Sequence, residues 1–154
     1  MKHSAGLLLY RRGRGGAEVL LVHPGGPLWA NKEAHAWSMP KGEFGVDEDP
    51  LAAARREFAE ETGFVPAGVP MELGVQKASG KAIHAWAIEG DWDPTRLRSN
   101  SFEMEWPPRS GKVGRFPEVD RAAWFDLATA RQKIHRGQVG LLDALEALLG
   151  RAPT

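Results

Sequence analysis

The chain has no cysteine in its 154 residues. That excludes disulfide staples, a thiolate zinc site and a cysteine nucleophile, and it fits a cytoplasmic protein. Net charge is also missing: 20 Lys and Arg stand against 20 Asp and Glu, for a formal charge of zero. Such a chain has no global electrostatic footprint for duplex nucleic acid or an anionic membrane, so neither is expected as a partner. No apolar run reaches the ~20 residues that a membrane span requires. The N-terminus, Met1-Lys2-His3-Ser4, leads into a short apolar stretch stopped by Arg11-Arg12. It has no small-residue cleavage site, so no signal peptide is read. There are no internal repeats and no low-complexity tract. What is present is a length expected of one domain, residues 1–154, with 42% hydrophobic residues, enough for a core.

Residues 5–10 (AGLLLY) read as a buried strand, and 18–22 (EVLLV) as a second one joined to it by a hairpin turn. The intervening GRGG run lies between strands rather than before a helix, so it is read as that turn and not as a phosphate cradle. Residues 37–39 read as a short strand entering Pro40-Lys41-Gly42. Pro50 opens a helix, with Asp47 and Asp49 as capping candidates, Leu51, Ala54 and Phe58 as its apolar stripe, and Gly63 as its stop. Strands are expected at 71–77, 82–89 and 122–125, a short helix at 127–134 and an amphipathic one at 138–149. Between 90 and 117, Pro, Gly, Arg and Ser accumulate, and the segment reads as a long connection or insertion. Strands mixed with a few helices argue for a layered α/β domain.

One spaced pattern carries chemistry. Gly42 is followed after five residues by Glu48, and after seven more by Arg56-Glu57-Phe58-Ala59-Glu60-Glu61-Thr62-Gly63-Phe64. Residues three and four apart on a helix are neighbours, so Glu57, Glu60 and Glu61 share one face. Clustered carboxylates repel each other, and a hard divalent cation with oxygen ligands relieves the repulsion. Taken alone, such a face is more often simply solvated. The five histidines show no paired metal spacing.

The whole pattern resembles the box of the Nudix hydrolases, G-x5-E-x7-R-E-U-x-E-E-x-G-U, where U is bulky and apolar. Every fixed residue matches, and Phe58 and Phe64 fill the U positions. The resemblance implies a Nudix-type α/β/α sandwich with a mixed sheet. It implies hydrolysis of a nucleoside diphosphate linked to another moiety, with Mg2+ or Mn2+ as cofactor and a small nucleotide as the bound partner. It assigns Glu57, Glu60 and Glu61 as metal ligands, with Glu57 central. Arg56 orients Glu57, Glu48 supports the loop from outside, and the backbone oxygen at Lys41 or Gly42 completes the metal shell. Glu118, six residues before Trp124, is similar to a further ligand or general base of relatives. The run Trp37-Ser38-Met39-Pro40-Lys41-Gly42 resembles the W-x-x-P-K-G stretch of diadenosine polyphosphate hydrolases. Lys41 and His35 are placed near phosphates by this reading, and Trp29, Trp92 and Trp106, in loops, are candidates to stack on a base. A dinucleoside polyphosphate is the first substrate expectation, a nucleoside triphosphate the second. The rival readings are a non-catalytic sensing or partner-binding module of the same fold, and a cap-removing enzyme. Retention of every box carboxylate disfavours the former, and zero net charge the latter.

Overall fold

Strands β1 (Lys2–Gly13) and β2 (Gly16–Pro24) form the expected hairpin, longer at both ends than the apolar runs alone suggest. The computed structural model describes residues 1–150. The following elements are β3 (Lys41–Glu43), α1 (Pro50–Thr62), β4 (Met71–Ala78), β5 (Lys81–Glu89), β6 (Ser101–Glu105), β7 (Val113–Pro117), β8 (Val119–Asp126), α2 (Leu127–Lys133) and α3 (Val139–Gly150). The main sheet runs β4-β5-β1-β2-β8, with β3 paired to β1. It is mixed because β1 and β5 lie parallel, from Lys2 opposite Lys81 to Tyr10 opposite Glu89. No helix among the described residues is long and apolar enough to cross a membrane.

The AGLLLY run is continuous in apolar residues because its strand is covered on both faces. Side chains alternate along a strand. Ala5, Leu7 and Leu9 therefore face one layer, with Ala53, Ala54 and Phe58 of α1. Leu8 and Tyr10 face the other, with Trp37 and with Leu141, Leu142 and Leu145 of α3. This is the α/β/α sandwich.

Helix α1 is bounded as its residues dictate. Asp49 accepts from the Ala52 N–H at 3.0 Å, and Pro50 follows in the first turn. Gly63 closes it at φ 80°, a left-handed conformation that costs glycine nothing, and donates to the Ala59 carbonyl at 2.8 Å. The buried stripe is Ala53, Ala54, Phe58 and Thr62, with Leu51 only half-buried. The helix is thus rotated slightly from the Leu51-centred reading.

Two expectations change. Residues 37–39 are not a strand. Ser38 makes one isolated bridge to Val22 and Trp37 one to Ile134, and the strand begins at Lys41. The 90–117 segment is not an unstructured connection. It holds a single 3-10 turn, Pro94–Arg96, and the antiparallel β6–β7 ribbon.

Loss of the Asp49 cap leaves an orphan amide at the start of α1. Asp49→Ala is expected to lower stability by about 1 kcal/mol in urea unfolding, and Asp49→Asn to stay near wild type. Equal losses in both variants would assign the effect to something other than the cap.

Candidate active site

The site begins where β3 meets α1. Gly42 pairs with Ala5 in the sheet, and the Glu57 carboxyl group lies over it. A Cβ at position 42 would fall on that carboxyl group, so the Glu57 carboxylate would have to leave its place. This explains why the pattern needs glycine fifteen residues before its central glutamate: the carboxylate must touch the backbone of the neighbouring strand.

Arg56 fixes the other side of that carboxylate. Its Nη1 donates to Glu57 at 2.8 Å. Its Nε and Nη2 fork onto Glu48 at 2.9 and 3.0 Å. Glu48 is held below the usual carboxylate range by this arginine, and the arginine is raised by Glu48 first and Glu57 after it. The bidentate geometry is one a lysine cannot supply. Glu60, half-buried, meets Nη1 of Arg56 at 3.4 Å.

Glu61 is the perturbed member. Desolvation first, and the Glu57 charge second, push its carboxyl up to about 8, against the opposing pull of Lys41. Glu118 stands in the one-residue gap between β7 and β8. Its backbone donates to Asn100 O at 2.7 Å and accepts from Gly25 N at 2.9 Å. Partial burial, then Glu57 and Glu60, raise its carboxyl too. A residue 57 positions beyond Glu61 in sequence thus shares its electrostatic environment.

Of the three glutamates expected on one helix face, Glu57 lies over Gly42, Glu60 meets Arg56, and Glu61 lies close enough to Glu57 to feel its charge. Among the described residues, no three His, Asp or Glu side chains form a metal cage. The donor set nevertheless fits Mg2+ or Mn2+. These ions keep several waters and are bound through one or two carboxylates together with substrate phosphates. Here Glu57 rests on a bare backbone, and the carboxyls of Glu61 and Glu118 are raised by desolvation first and by neighbouring carboxylates second.

Two clefts open on the site. One, of about 360 Å³, is lined by Glu61 and Glu118 together with Leu28, Trp29, Phe102 and Met104. The other, of about 400 Å³, is lined by Lys41, Lys81, His135, Ser38 and Gln138. Trp29 borders both. Trp29 and Lys41 thus line these clefts. His35 lines neither, and its Nδ1 lies 2.9 Å from the Ile134 carbonyl. Trp92 is likewise no stacking platform, being buried in the core, stacked on Phe64 at 5.5 Å and accepting from the Trp124 indole at its carbonyl. Trp106 borders neither cleft.

Other positions were not legible. Gln138, buried, accepts from Met39 N–H at 3.0 Å and donates to the Ser38 hydroxyl at 2.9 Å. It pins the segment that delivers Lys41 and Gly42. Fully buried His23 lies with Nδ1 2.8 Å from Asp120 and donates from Nε2 to the Lys32 carbonyl at 2.6 Å. That bond, with Glu33 bridging to Arg121 and Lys133, ties down the loop that carries Trp29. Their partners lie 9 to 100 residues away, so no local pattern marks these side chains.

Comparison with known proteins agrees with this geometry. The family model described as NUDIX domain matches residues 1–145. No curated protein matches the chain. Among solved structures, a C. elegans Ap4A hydrolase in a binary complex is 24% identical, covering 97% of this chain and 98% of its own at a TM-score of 0.63. The NUDIX domain of Shewanella oneidensis NrtR, complexed with ADP ribose, is 16% identical at a TM-score of 0.63, covering 96% and 87%. RenU, a Nudix hydrolase from M. smegmatis, is 20% identical at 0.62, covering 99% and 88%. At these identities the likeness is one of fold.

The Glu61 shift has a consequence for stability. In protein stripped of divalent ions, the fold keeps this proton up to about 8, whereas the unfolded chain releases it near 4.5. Within that window the folded state binds more protons, so raising the pH weakens the fold. The thermal midpoint of EDTA-treated protein is expected to fall as pH rises from about 5 to about 8, and Glu61→Gln to flatten the fall. Equal slopes in the two proteins would remove Glu61 from this role.

Proposed function

This chain belongs to the Nudix hydrolases, and from that premise we propose that it is a Mg2+- or Mn2+-dependent pyrophosphohydrolase acting on a dinucleoside polyphosphate, with nucleoside triphosphates as its second substrate class. The observation that carries the substrate choice is the pair of clefts meeting at Trp29: carboxylates in one, and Lys41, Lys81 and His135 in the other. A long phosphate chain with a nucleoside at either end suits that arrangement. A sugar nucleotide with a single diphosphate has no use for the cationic half. The C. elegans Ap4A hydrolase among the structural relatives supports the same class.

The residues divide the work. Glu57, Glu60 and Glu61, with the backbone oxygen at Lys41 or Gly42, would hold the divalent ion. When bound there, such an ion would supply screening of the diphosphate, a lowered pKa for water and stabilisation of the leaving oxygen. Arg56, held by Glu48, keeps the Glu57 carboxylate aimed at the site and offsets part of the negative charge. Glu118, exposed at the cleft and raised above the ordinary carboxylate range, takes the proton of the attacking water. Lys41 meets the passing phosphates as a flexible point charge. Little covalent work is then left to the protein beyond positioning.

Phosphate release from a nucleotide panel tests this reading. EDTA is expected to abolish turnover and Mg2+ to restore it. Glu57→Gln is expected to lower kcat by roughly 100- to 1,000-fold with the fold intact. Lys41→Ala is expected to raise KM most for the longest phosphate chain. A wild type that prefers ADP-ribose to every polyphosphate would overturn the substrate, and activity indifferent to EDTA would overturn the metal.

A further inference from the structure

The β6–β7 ribbon is strictly two-faced. Phe102 and Met104 on β6, and Gly114 and Phe116 on β7, are half-buried, while Ser101, Glu103, Glu105, Val113 and Arg115 are exposed. Such alternation normally means that one face lies on a core. Here the two strands pack chiefly on each other and not on the main sheet or a helix. The apolar face is instead turned to the cleft that holds Glu61 and Glu118, where Phe102 and Met104 form one wall.

That wall is built rather than incidental. Phe102 lies opposite Phe116 in register, with the rings 6.0 Å apart and tilted. Met104 lies opposite Gly114, and a Cβ at Gly114 would meet the Phe116 ring at 2.8 Å. The glycine therefore gives Phe116 the space from which it braces Phe102. From the other side, Gly26, at φ 94°, admits the edge of the Phe102 ring, and a Cβ there would meet it at 2.9 Å. Gly25 sits against the backbone of Pro117 at the ribbon's base. The Gly25-Gly26 pair thus seats the ribbon. Leu28, 57% exposed, and Trp29, 38% exposed, line the same cleft.

We propose that the ribbon is the base-recognition wall of this cleft, with Phe102 and Met104 receiving the nucleobase of the substrate whose phosphates reach Glu61 and Glu118; this rests on the hydrolase reading above. The cleft combines the carboxylates of Glu61 and Glu118 with apolar lining from Leu28, Trp29, Phe102 and Met104, and its volume of about 360 Å³ suits a ligand with a phosphorylated head and one planar body. Contact is through the π-face and a polarisable thioether, so it grips a base without reading its hydrogen-bonding edge.

The test compares wild type with Phe102→Ala and Met104→Ala, each checked by circular dichroism. The readouts are kinetics on ATP and calorimetric binding of ATP and of inorganic tripolyphosphate. Loss of one stacking partner is expected to raise KM for ATP by roughly 5- to 100-fold with kcat within about twofold. Tripolyphosphate affinity is expected to stay unchanged, and Phe102→Tyr to restore the ATP value. If both alanine variants keep the wild-type KM while Glu57→Gln is inactive, the wall is wrong and the hydrolase reading stands. If wild type binds ATP no tighter than tripolyphosphate, the wall is wrong whatever the fate of the hydrolase reading. A loss of kcat and of tripolyphosphate binding together would make Phe102 a structural residue and overturn the proposal.

Discussion

The seating of the Glu57 carboxylate on the bare backbone of Gly42 is the contact on which the rest of the site depends. It joins a helix to a strand at a point where any Cβ would stand in the way. It also sets how close α1 must come to the sheet. Ala53 and Ala54, both buried, keep the helix near the central strand, and Phe58 fills the space beyond them. Held there, Glu57 presents a carboxylate only partly exposed, and Arg56 keeps it from turning away. Desolvation first, and the charge of Glu57 after it, raise the carboxyls of Glu61 and Glu118 beside it.

The remaining parts support that contact from a distance. The three-residue strand carrying Gly42 has little ladder of its own, so Gln138 ties the preceding segment to the start of α3 from within the core. The loop with Trp29 has no regular structure, and its geometry rests on His23 and on the Glu33 pairs, with Glu33 held down to about 2 chiefly by Arg121. At the far side, the backbone amides of Arg98 and Asn100 donate to Thr62 and Glu60 at 2.9 Å each, so the segment leading to the ribbon is moored to the end of the helix that carries the carboxylates. Two independent layers of the sandwich thus contribute to one site: α1 on one face, and the α2–α3 side, through Gln138 and His135, on the other.

What could be read in the amino-acid sequence was what local physics controls. Helix α1, its Asp49 cap and its Gly63 stop follow from spacing and conformational preference over a few residues. The apolar run of β1 announces a strand covered on both faces. The box spacing identifies Gly42 and Glu57 together, although only the structure supplies the steric reason. Features that depend on long-range register were not legible. Lys81, His135, Phe102 and Met104 reach the clefts through chain crossings that no periodicity encodes. Trp92 stands in a polar, Pro-rich neighbourhood that suggests exposure, yet its indole is packed against Phe64. The 90–117 segment hid its ribbon because alternation there concerns single apolar residues among charged ones, a weak signal beside its turn-forming composition. The triplet of glutamates was correctly placed on one helix, but helix geometry alone does not tell which neighbour each carboxylate will choose.

The central claim is that Glu57, seated on Gly42, is the core of a divalent-cation site. Mn2+ titration followed by electron paramagnetic resonance tests it without relying on turnover. The account predicts that wild type binds Mn2+ and that both Glu57→Gln and Gly42→Ala, still folded, bind it roughly 10- to 100-fold more weakly, one by removing the ligand and the other by displacing it. Unchanged Mn2+ affinity in both variants would contradict the account.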